Sequence, residues 1–237
     1  MIISLTLCYE ARSQKLLLDF ESGIGSYSMS GLKKLNTKVA AAMPFNSKLV
    51  SNFPLNWYLR QSVLLKYEFA NIGLNYVYQS TASEISGKDN SGEFNSKLEV
   101  NSHCPGIFSN AYIYLLGNFM FSVDVSAGVI FSNLKKTDYE RLNDSIITNE
   151  NLIYKAFSYY FEPGLNLKYK YKLLYFGLNA GYFVTIGKAA FYRDHDKQKK
   201  LYDTFNGSSI HPNWNGFRFG LSVAYYFHRK TLLKPDF

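Results

Sequence analysis

The stretch Gly216–Phe227, GFRFGLSVAYYF, alternates large apolar residues with small or polar ones along its whole length. Every second residue from Phe217 to Phe227 is apolar, and the positions between them include Arg218 and Ser222. Since successive side chains of a strand point to opposite faces, the pattern predicts a β-strand with one apolar and one polar face. Such a strand fits a soluble sheet, with its apolar face in a core, or a membrane barrel, with that face against lipid.

The same alternation recurs along the rest of the chain. It predicts eight strands: Leu16–Tyr27, Trp57–Phe69, Ile72–Ile85, Phe94–Leu116, Phe119–Ser132, Phe157–Tyr169, Leu174–Ile186 and Gly216–Phe227. No run approaches the roughly 18 consecutive apolar residues of a transmembrane helix. A strand of a membrane barrel needs only about 10 alternating residues, so each segment is long enough to be one. The predicted fold is all-β, an eight-stranded antiparallel up-and-down transmembrane β-barrel.

Short and long connections alternate between the predicted strands. Three connections are short and indicate tight hairpins: residues 70–71, 117–118 and 170–172. The other four connections are longer: residues 28–56, 86–92, 133–156 and 187–215. The shortest of these, residues 86–92, is predicted to be a turn on extended strands. In an up-and-down sheet all connections of one kind lie at the same end. Short periplasmic turns opposite long external loops are typical of outer-membrane barrels.

The first long connection contains one segment with a different period. Leu32–Met43, LKKLNTKVAAAM, is Ala-rich and has helical spacing of its apolar residues. We expect a short helix there that caps the barrel or contacts a partner.

The polar face of the predicted strands carries charges of both signs. Eight of these residues form the predicted lumen charge network: Asp19, Glu21, Arg60, Lys66, Asp124, Glu162, Lys168 and Arg218. Inside an eight-stranded barrel there is room for side chains only, so these charges must pair with one another. The alternative, a narrow ion path through them, is disfavoured by the small diameter of such a barrel.

The alternation alone does not say whether the apolar face or the polar face points into the barrel. A soluble lipocalin-like barrel would place the apolar residues inside and the charges outside. Aromatic residues recur near the predicted strand ends, among them Trp57, Phe69, Phe119 and Phe227. Because such residues collect at bilayer interfaces, they favour the membrane arrangement.

The two ends of the chain are predicted to lie outside the barrel. Residues 1–13, an apolar stretch that ends in an A-x-S pattern, have the features of the end of a secretory signal peptide. The barrel then covers residues 14–228, and residues 229–237 form a C-terminal tail. Loss of the signal peptide would leave Cys104 as the only cysteine, which excludes an internal disulfide.

The eight segments, and a last strand that closes on the aromatic Phe227, resemble the small outer-membrane β-barrel proteins of Gram-negative bacteria. More narrowly, they resemble the PorT-like and OmpX-like group. The resemblance covers residues 14–228 and implies an outer-membrane location, contact with outer-membrane lipid and insertion by the barrel-assembly machinery. Many such proteins end on the terminal aromatic residue, whereas a tail follows Phe227 here. The group implies no single activity, because fold does not fix function.

Two histidines lie beside residues that can take part in chemistry. His103 precedes Cys104, but neighbouring strand residues point to opposite faces, which disfavours a nucleophile–base pair. His195 lies between Asp194 and Asp196 but has no second histidine at ligand spacing. A solvated loop is therefore predicted there rather than a metal site.

His211 leads to the main alternative function. It follows Ser208 and Ser209 and could pair with either, as in an outer-membrane esterase, although no G-x-S-x-G motif is present. The leading hypothesis is a non-enzymatic integral outer-membrane protein whose long external loops serve a binding or structural role. The alternatives are an outer-membrane lipid or glycan hydrolase with a loop histidine, and a soluble lipocalin-like carrier.

The charge pattern of the chain also bears on which partners and cofactors it can bind. The net charge of +8 is assigned to solvated loops, since no compact Lys/Arg cluster on a helix indicates nucleic-acid binding. We expect no cofactor and no metal, and an external or envelope protein partner that binds the long loops.

Overall fold

A computed structural model describes most of the chain: residues 16–43, 47–90, 92–142, 145–187, 189–194, 196–203, 205 and 207–227. The predicted signal peptide at residues 1–13 and the tail at residues 229–237 lie outside these residues. Within them, no helix is long and apolar enough to cross a membrane.

The described residues form one helix and eleven strands. In chain order they are β1 (Leu16–Gly25), α1 (Ser30–Ala42), β2 (Ser47–Asn52), β3 (Asn56–Lys66), β4 (Ala70–Lys88), β5 (Gly92–Leu116), β6 (Phe119–Leu142), β7 (Ser145–Tyr171), β8 (Leu174–Ile186), β9 (Tyr192–Arg193), β10 (Asp196–Lys200) and β11 (Gly216–Phe227). The predicted helix is therefore present, and it begins two residues before the predicted start.

Eight of the strands close into a barrel. Each pairs antiparallel with its neighbours in the order β1, β3, β4, β5, β6, β7, β8, β11. The ring closes between the first and last strands, where Leu16 lies opposite Phe227 and Gly25 opposite Arg218. These eight correspond to the eight alternating segments of the sequence, so the predicted barrel is confirmed.

The apolar face of the strands points outward. In β11, Phe219 and Leu221 are 56% and 66% exposed, whereas Arg218 between Phe217 and Phe219 is 1% exposed. A soluble carrier has the opposite arrangement, with polar residues outside, so the lipocalin-like alternative is wrong. An apolar exterior around a polar interior is the arrangement of a barrel in a membrane.

Aromatic residues mark both edges of this apolar exterior. At the short-turn end they are Phe119, Tyr169 and Phe227, and at the opposite end Trp57, Tyr78, Phe131, Phe157 and Phe217. Phe69, predicted at a strand end, lies in the turn between β3 and β4. Such rings are typical of residues at the two interfaces of a bilayer. The short turns, at residues 67–69, 117–118 and 172–173, lie at one end, as the alternation of connection lengths predicts.

The predicted long loop at residues 133–156 is wrong. β6 continues to Leu142 and β7 begins at Ser145, so this region is a long paired hairpin. The sequence did not show it because the apolar alternation ends near Phe131, where the strands leave the membrane. Lys135 and Lys136, on the two faces beyond that point, give no apolar signal.

The helix α1 lies inside the external end of the barrel. Its buried side chains are Leu32, Leu35 and Asn36. Leu32 and Leu35 join a cluster that includes Phe183 from the wall and Trp214 from the last external loop. Asn36 instead donates a hydrogen bond to Ser83 of β4. The helix therefore plugs the external opening. Capping the barrel is one of the two roles that the sequence predicted for it.

Candidate functional site

A connected set of ion pairs fills the middle of the lumen. Glu162 on β7 accepts hydrogen bonds from Arg60 on β3 and Arg218 on β11, and the Arg218 Nη1 to Glu162 Oε2 distance is 3.0 Å. Arg60 also donates to Glu21 on β1, with 3.1 Å between Nη1 and Oε2. All four residues are at most 5% exposed. Buried charges need partners of this kind, because desolvation otherwise costs several kcal/mol per ion.

Uncharged and aromatic side chains complete this network. The guanidinium of Arg218 lies 4.0 Å from the ring centroid of Phe183 and 4.8 Å from that of Tyr58. Tyr58 donates to Glu21, and Gln79 accepts from Arg218. The sequence prediction included only the charged members. Tyr58 and Gln79 occupy polar-face positions of their strands, and that signal could have found them.

A second group of polar residues lies nearer the short turns. Lys168 pairs with Asp19. Asp124 accepts hydrogen bonds from Asn110 and from Asn166, the latter at 3.2 Å between Nδ2 and Oδ2. Within the described residues, the hydrogen bonds of this carboxylate come from neutral side chains.

Of the eight residues of the predicted lumen charge network, Lys66 lies outside the buried network. It is exposed at the end of β3, and its ammonium is 5.2 Å from the ring centroid of Tyr226 at the lumen opening. Glu68, which the same alternation places on the polar face, lies exposed in the adjoining turn. Alternation assigns a face but not a depth, so it could not separate these two residues from the buried ones. The other seven predicted residues are all buried in the lumen.

The charged region of the lumen is closely packed. The space between Glu21, Arg60, Asp124 and Glu162 is a cavity of only about 10 Å³. This is roughly the space of one water molecule. Among the described residues, the side chains of the network therefore leave little free space between these four residues.

The external end is held together by a contact between the plug and a loop. Lys38 of α1 pairs with Asp203 at 2.8 Å between Nζ and Oδ2. The backbone N–H of Phe205 also donates to Asp203. The Lys38 ammonium and this N–H stabilise the charged form, and they hold the pKa of Asp203 below its usual range.

A pocket of about 560 Å³ opens beside this contact. It lies between the first turns of α1 and the last external loop, and most of its lining side chains carry hydroxyl, amide or charged groups: Ser30, Lys34, Thr185, Asp203, Ser208, Ser209, His211, Asn213 and Asn215. Small polar molecules fit such a lining, since each hydroxyl or amide can donate or accept a hydrogen bond.

His211 contacts Ser209 in this pocket. Ser209 is one of the two serines, with Ser208, that were predicted to pair with it. The Ser209 Oγ and His211 Nε2 atoms are 3.2 Å apart. The His211 Nδ1 atom has no hydrogen-bond partner among the described residues. A catalytic histidine is usually oriented by a third group at that nitrogen. The pair thus has two of the three parts of a hydrolytic triad.

The other candidate residues are separated from one another. Cys104 is buried in the lumen, while His103 points outward and contacts Tyr76. Asp194 pairs with Lys155 at 2.9 Å, and Asp196 with Lys199 at 3.4 Å. His195 lies outside the described residues. In the part of the chain that the structure describes, no group of three or more potential ligands is placed to hold a metal ion.

Comparison with known proteins supports the fold. Neither a protein-family model nor a curated protein sequence matches the chain. Among solved structures, it is similar to a major outer membrane protein from Thermus thermophilus, with a TM-score of 0.50, 11% identity and coverage of 91% of this chain and 100% of that one.

Two further solved structures cover nearly the whole chain. The outer membrane protein OprG from Pseudomonas aeruginosa matches with a TM-score of 0.45 and 11% identity, over 92% of this chain and 98% of that one. Neisserial surface protein A matches with a TM-score of 0.38 and 10% identity, over 90% and 97%. The ring of eight strands and the similarity to the Thermus thermophilus structure show that the chain has the fold of an integral outer-membrane β-barrel protein. The predicted resemblance and outer-membrane location agree with this fold.

Proposed function

From this fold, we propose that the chain is a non-enzymatic outer-membrane protein of a Gram-negative bacterium that binds a partner at its external end. The observation that carries the proposal is the continuation of β4, β5, β6 and β7 beyond the external aromatic residues as paired strands. Paired strands are stiffer than loops. They present a preorganised surface, which lowers the entropy cost of binding.

The inner face of this external sheet is supported by the plug. Ile85 and Phe94 of the sheet pack against Val39, Ala40 and Met43 of α1 and the residue after it. The outer face is left for a partner, and the polar pocket beside Ser209 offers a second place for a small polar ligand. The proposal requires neither a cofactor nor nucleic acid.

The closed lumen favours binding over transport. The ion pairs around Glu162 and the cavity of about 10 Å³ leave little space for a solute. Within this proposal the apolar exterior contacts outer-membrane lipid, and the barrel-assembly machinery inserts the barrel.

The test compares the native protein with a variant whose β6–β7 hairpin is shortened by replacing residues 137–149 with a tight turn. Both are recovered from intact membranes, and the proteins retained by each are quantified. We expect the native protein to retain an external or envelope protein that the shortened variant loses. Equal retention by both proteins would contradict the proposal. A faster-migrating unboiled band on gels checks that the variant barrel is folded.

The contact between Ser209 and His211 favours a second candidate function, hydrolysis of lipid or glycan. In that case Ser209 would be the nucleophile and His211 the general base. Release of fatty acid or sugar from outer-membrane vesicles is measured for the native protein and for Ser209→Ala and His211→Ala. Activity that both variants lose would establish the hydrolase, and no activity above that of the variants would exclude it.

A further inference from the structure

The short-turn end of the barrel exposes apolar side chains in a ring of three turns. Phe69 in the first turn is 73% exposed, Leu115 beside the second is 61% exposed, and Leu173 in the third is 47% exposed. Turns are ordinarily polar, because they meet water. Apolar residues at or beside all three turns therefore indicate a contact at this end.

The direction of Leu115 decides which kind of contact this is. A register shift follows Tyr112, so that Leu115 pairs with Met120 on the inward face. Met120 packs on the lower lumen cluster, which consists of Leu17, Leu64, Phe108, Tyr175, Ala224 and Tyr226. Leu115 therefore faces the barrel opening, where lipid chains cannot cover it. Its neighbour Leu116 pairs with Phe119 on the outward, lipid-facing side and is equally exposed.

Positive charge accompanies these apolar residues. Lys66, Lys170 and Lys172 lie at the same end, and Glu68 is the one acidic residue in the described turns there. A partner with carboxylates around an apolar patch would complement this end, because opposite charges guide association and suppress wrong partners.

We propose that the turn-end surface, formed by Phe69, Leu115, Leu173, Lys66, Lys170 and Lys172, docks a periplasmic protein. The partner presents a small apolar patch rimmed by Asp and Glu residues. Because the turns are short and held by paired strands, little conformational entropy is lost when they bind. Since the patch is small, the complex belongs to the transient class of interfaces. This surface lies at the opposite end from the external partner site and is independent of it.

The test is photo-crosslinking in living cells with the full-length protein. A photo-reactive amino acid replaces Leu115 in one variant and Leu116 in a matched control. The two positions are adjacent and equally exposed, but they face the opening and the lipid, respectively. We expect a discrete protein adduct from position 115 and lipid adducts alone from position 116. Mass spectrometry then identifies the crosslinked segment, which should be net acidic with apolar residues.

A charge-reversed background makes the test specific. Lys170→Glu with Lys172→Glu should lower the adduct yield from position 115 by roughly tenfold, since like charges then face each other. An unchanged yield would overturn the proposal. So would an adduct from position 115 to lipid, to a net basic protein segment, to a second copy of this chain or to another part of the same chain. The unboiled gel shift confirms that every variant is a folded barrel.

Discussion

Lys38 and Asp203 form an ion pair that joins the plug helix to the last external loop, with 2.8 Å between Nζ and Oδ2. The helix α1 also packs apolar side chains into the external end of the barrel, and its Asn36 donates a hydrogen bond to Ser83. The pair thus adds a directional link to a packing contact. It also fixes the wall of the polar pocket, since Asp203 lines that pocket.

The first prediction concerns the pH dependence of this link. The pKa of Asp203 is lowered by Lys38, so the pair is intact at neutral pH and is lost as the pH falls through that lowered value. Hydrogen exchange of the α1 backbone is compared between the native protein and Asp203→Asn at each pH. We expect faster exchange in the variant at pH 7, and a difference between the two proteins that narrows as the pH falls and the Asp203 carboxylate is protonated. Equal exchange at pH 7 would show that the pair does not hold the plug.

The second prediction concerns the lumen network. Glu162 compensates two guanidiniums, so Glu162→Gln leaves buried positive charge and should destabilise the barrel by about 3–5 kcal/mol. The matched control is Asp124→Asn, where the partners are neutral and the cost should stay below about 2 kcal/mol. Denaturant unfolding in lipid vesicles measures both. A larger cost for the Asp124 change would contradict the assignment of partners.

The third prediction follows from the corrected hairpin. Lys136 lies within paired β6, whereas Arg141 is near the turn that joins β6 to β7. Trypsin added to intact cells should therefore cut at Arg141 before Lys136, and it should leave Lys172 at the periplasmic end intact. Fragment masses identify the sites. Early cleavage at Lys136 would restore the loop that the sequence predicted.

Strand positions could be predicted from the sequence because burial on one face repeats with period two. The stretch Gly216–Phe227 shows this fully, and the predicted and observed bounds of this strand are the same. The rule fails beyond Leu134 on β6, where Lys135 and Lys136 occupy the two faces and neither face is selected for apolar residues. It also fails at strand ends such as Lys66, where face and depth no longer correspond.

The candidate site was less accessible to prediction from the sequence. The charged lumen residues share a face, and that much is local information. Which carboxylate meets which cation depends on pairings across the barrel, as between Arg60 and Glu162, which lie 102 residues apart. The link between Lys38 and Asp203 spans 165 residues and has no local signal at all. The contact of Ser209 with His211 could be foreseen because both lie within one short segment.

The last prediction tests which face meets lipid, and at what depth. Val125 and Asn133 point outward on the same strand, β6, and are both partly exposed, but Val125 lies near the middle of the apolar exterior and Asn133 just beyond Phe131. A lysine at the centre of a bilayer costs about 2–4 kcal/mol and near the interface about 0–1 kcal/mol. Val125→Lys should therefore destabilise the barrel in vesicles by the larger amount and Asn133→Lys by the smaller. In thinner bilayers the cost at Val125 should fall, because the ammonium then reaches the headgroups more easily. Equal costs at the two positions, independent of bilayer thickness, would mean that this face does not cross a membrane.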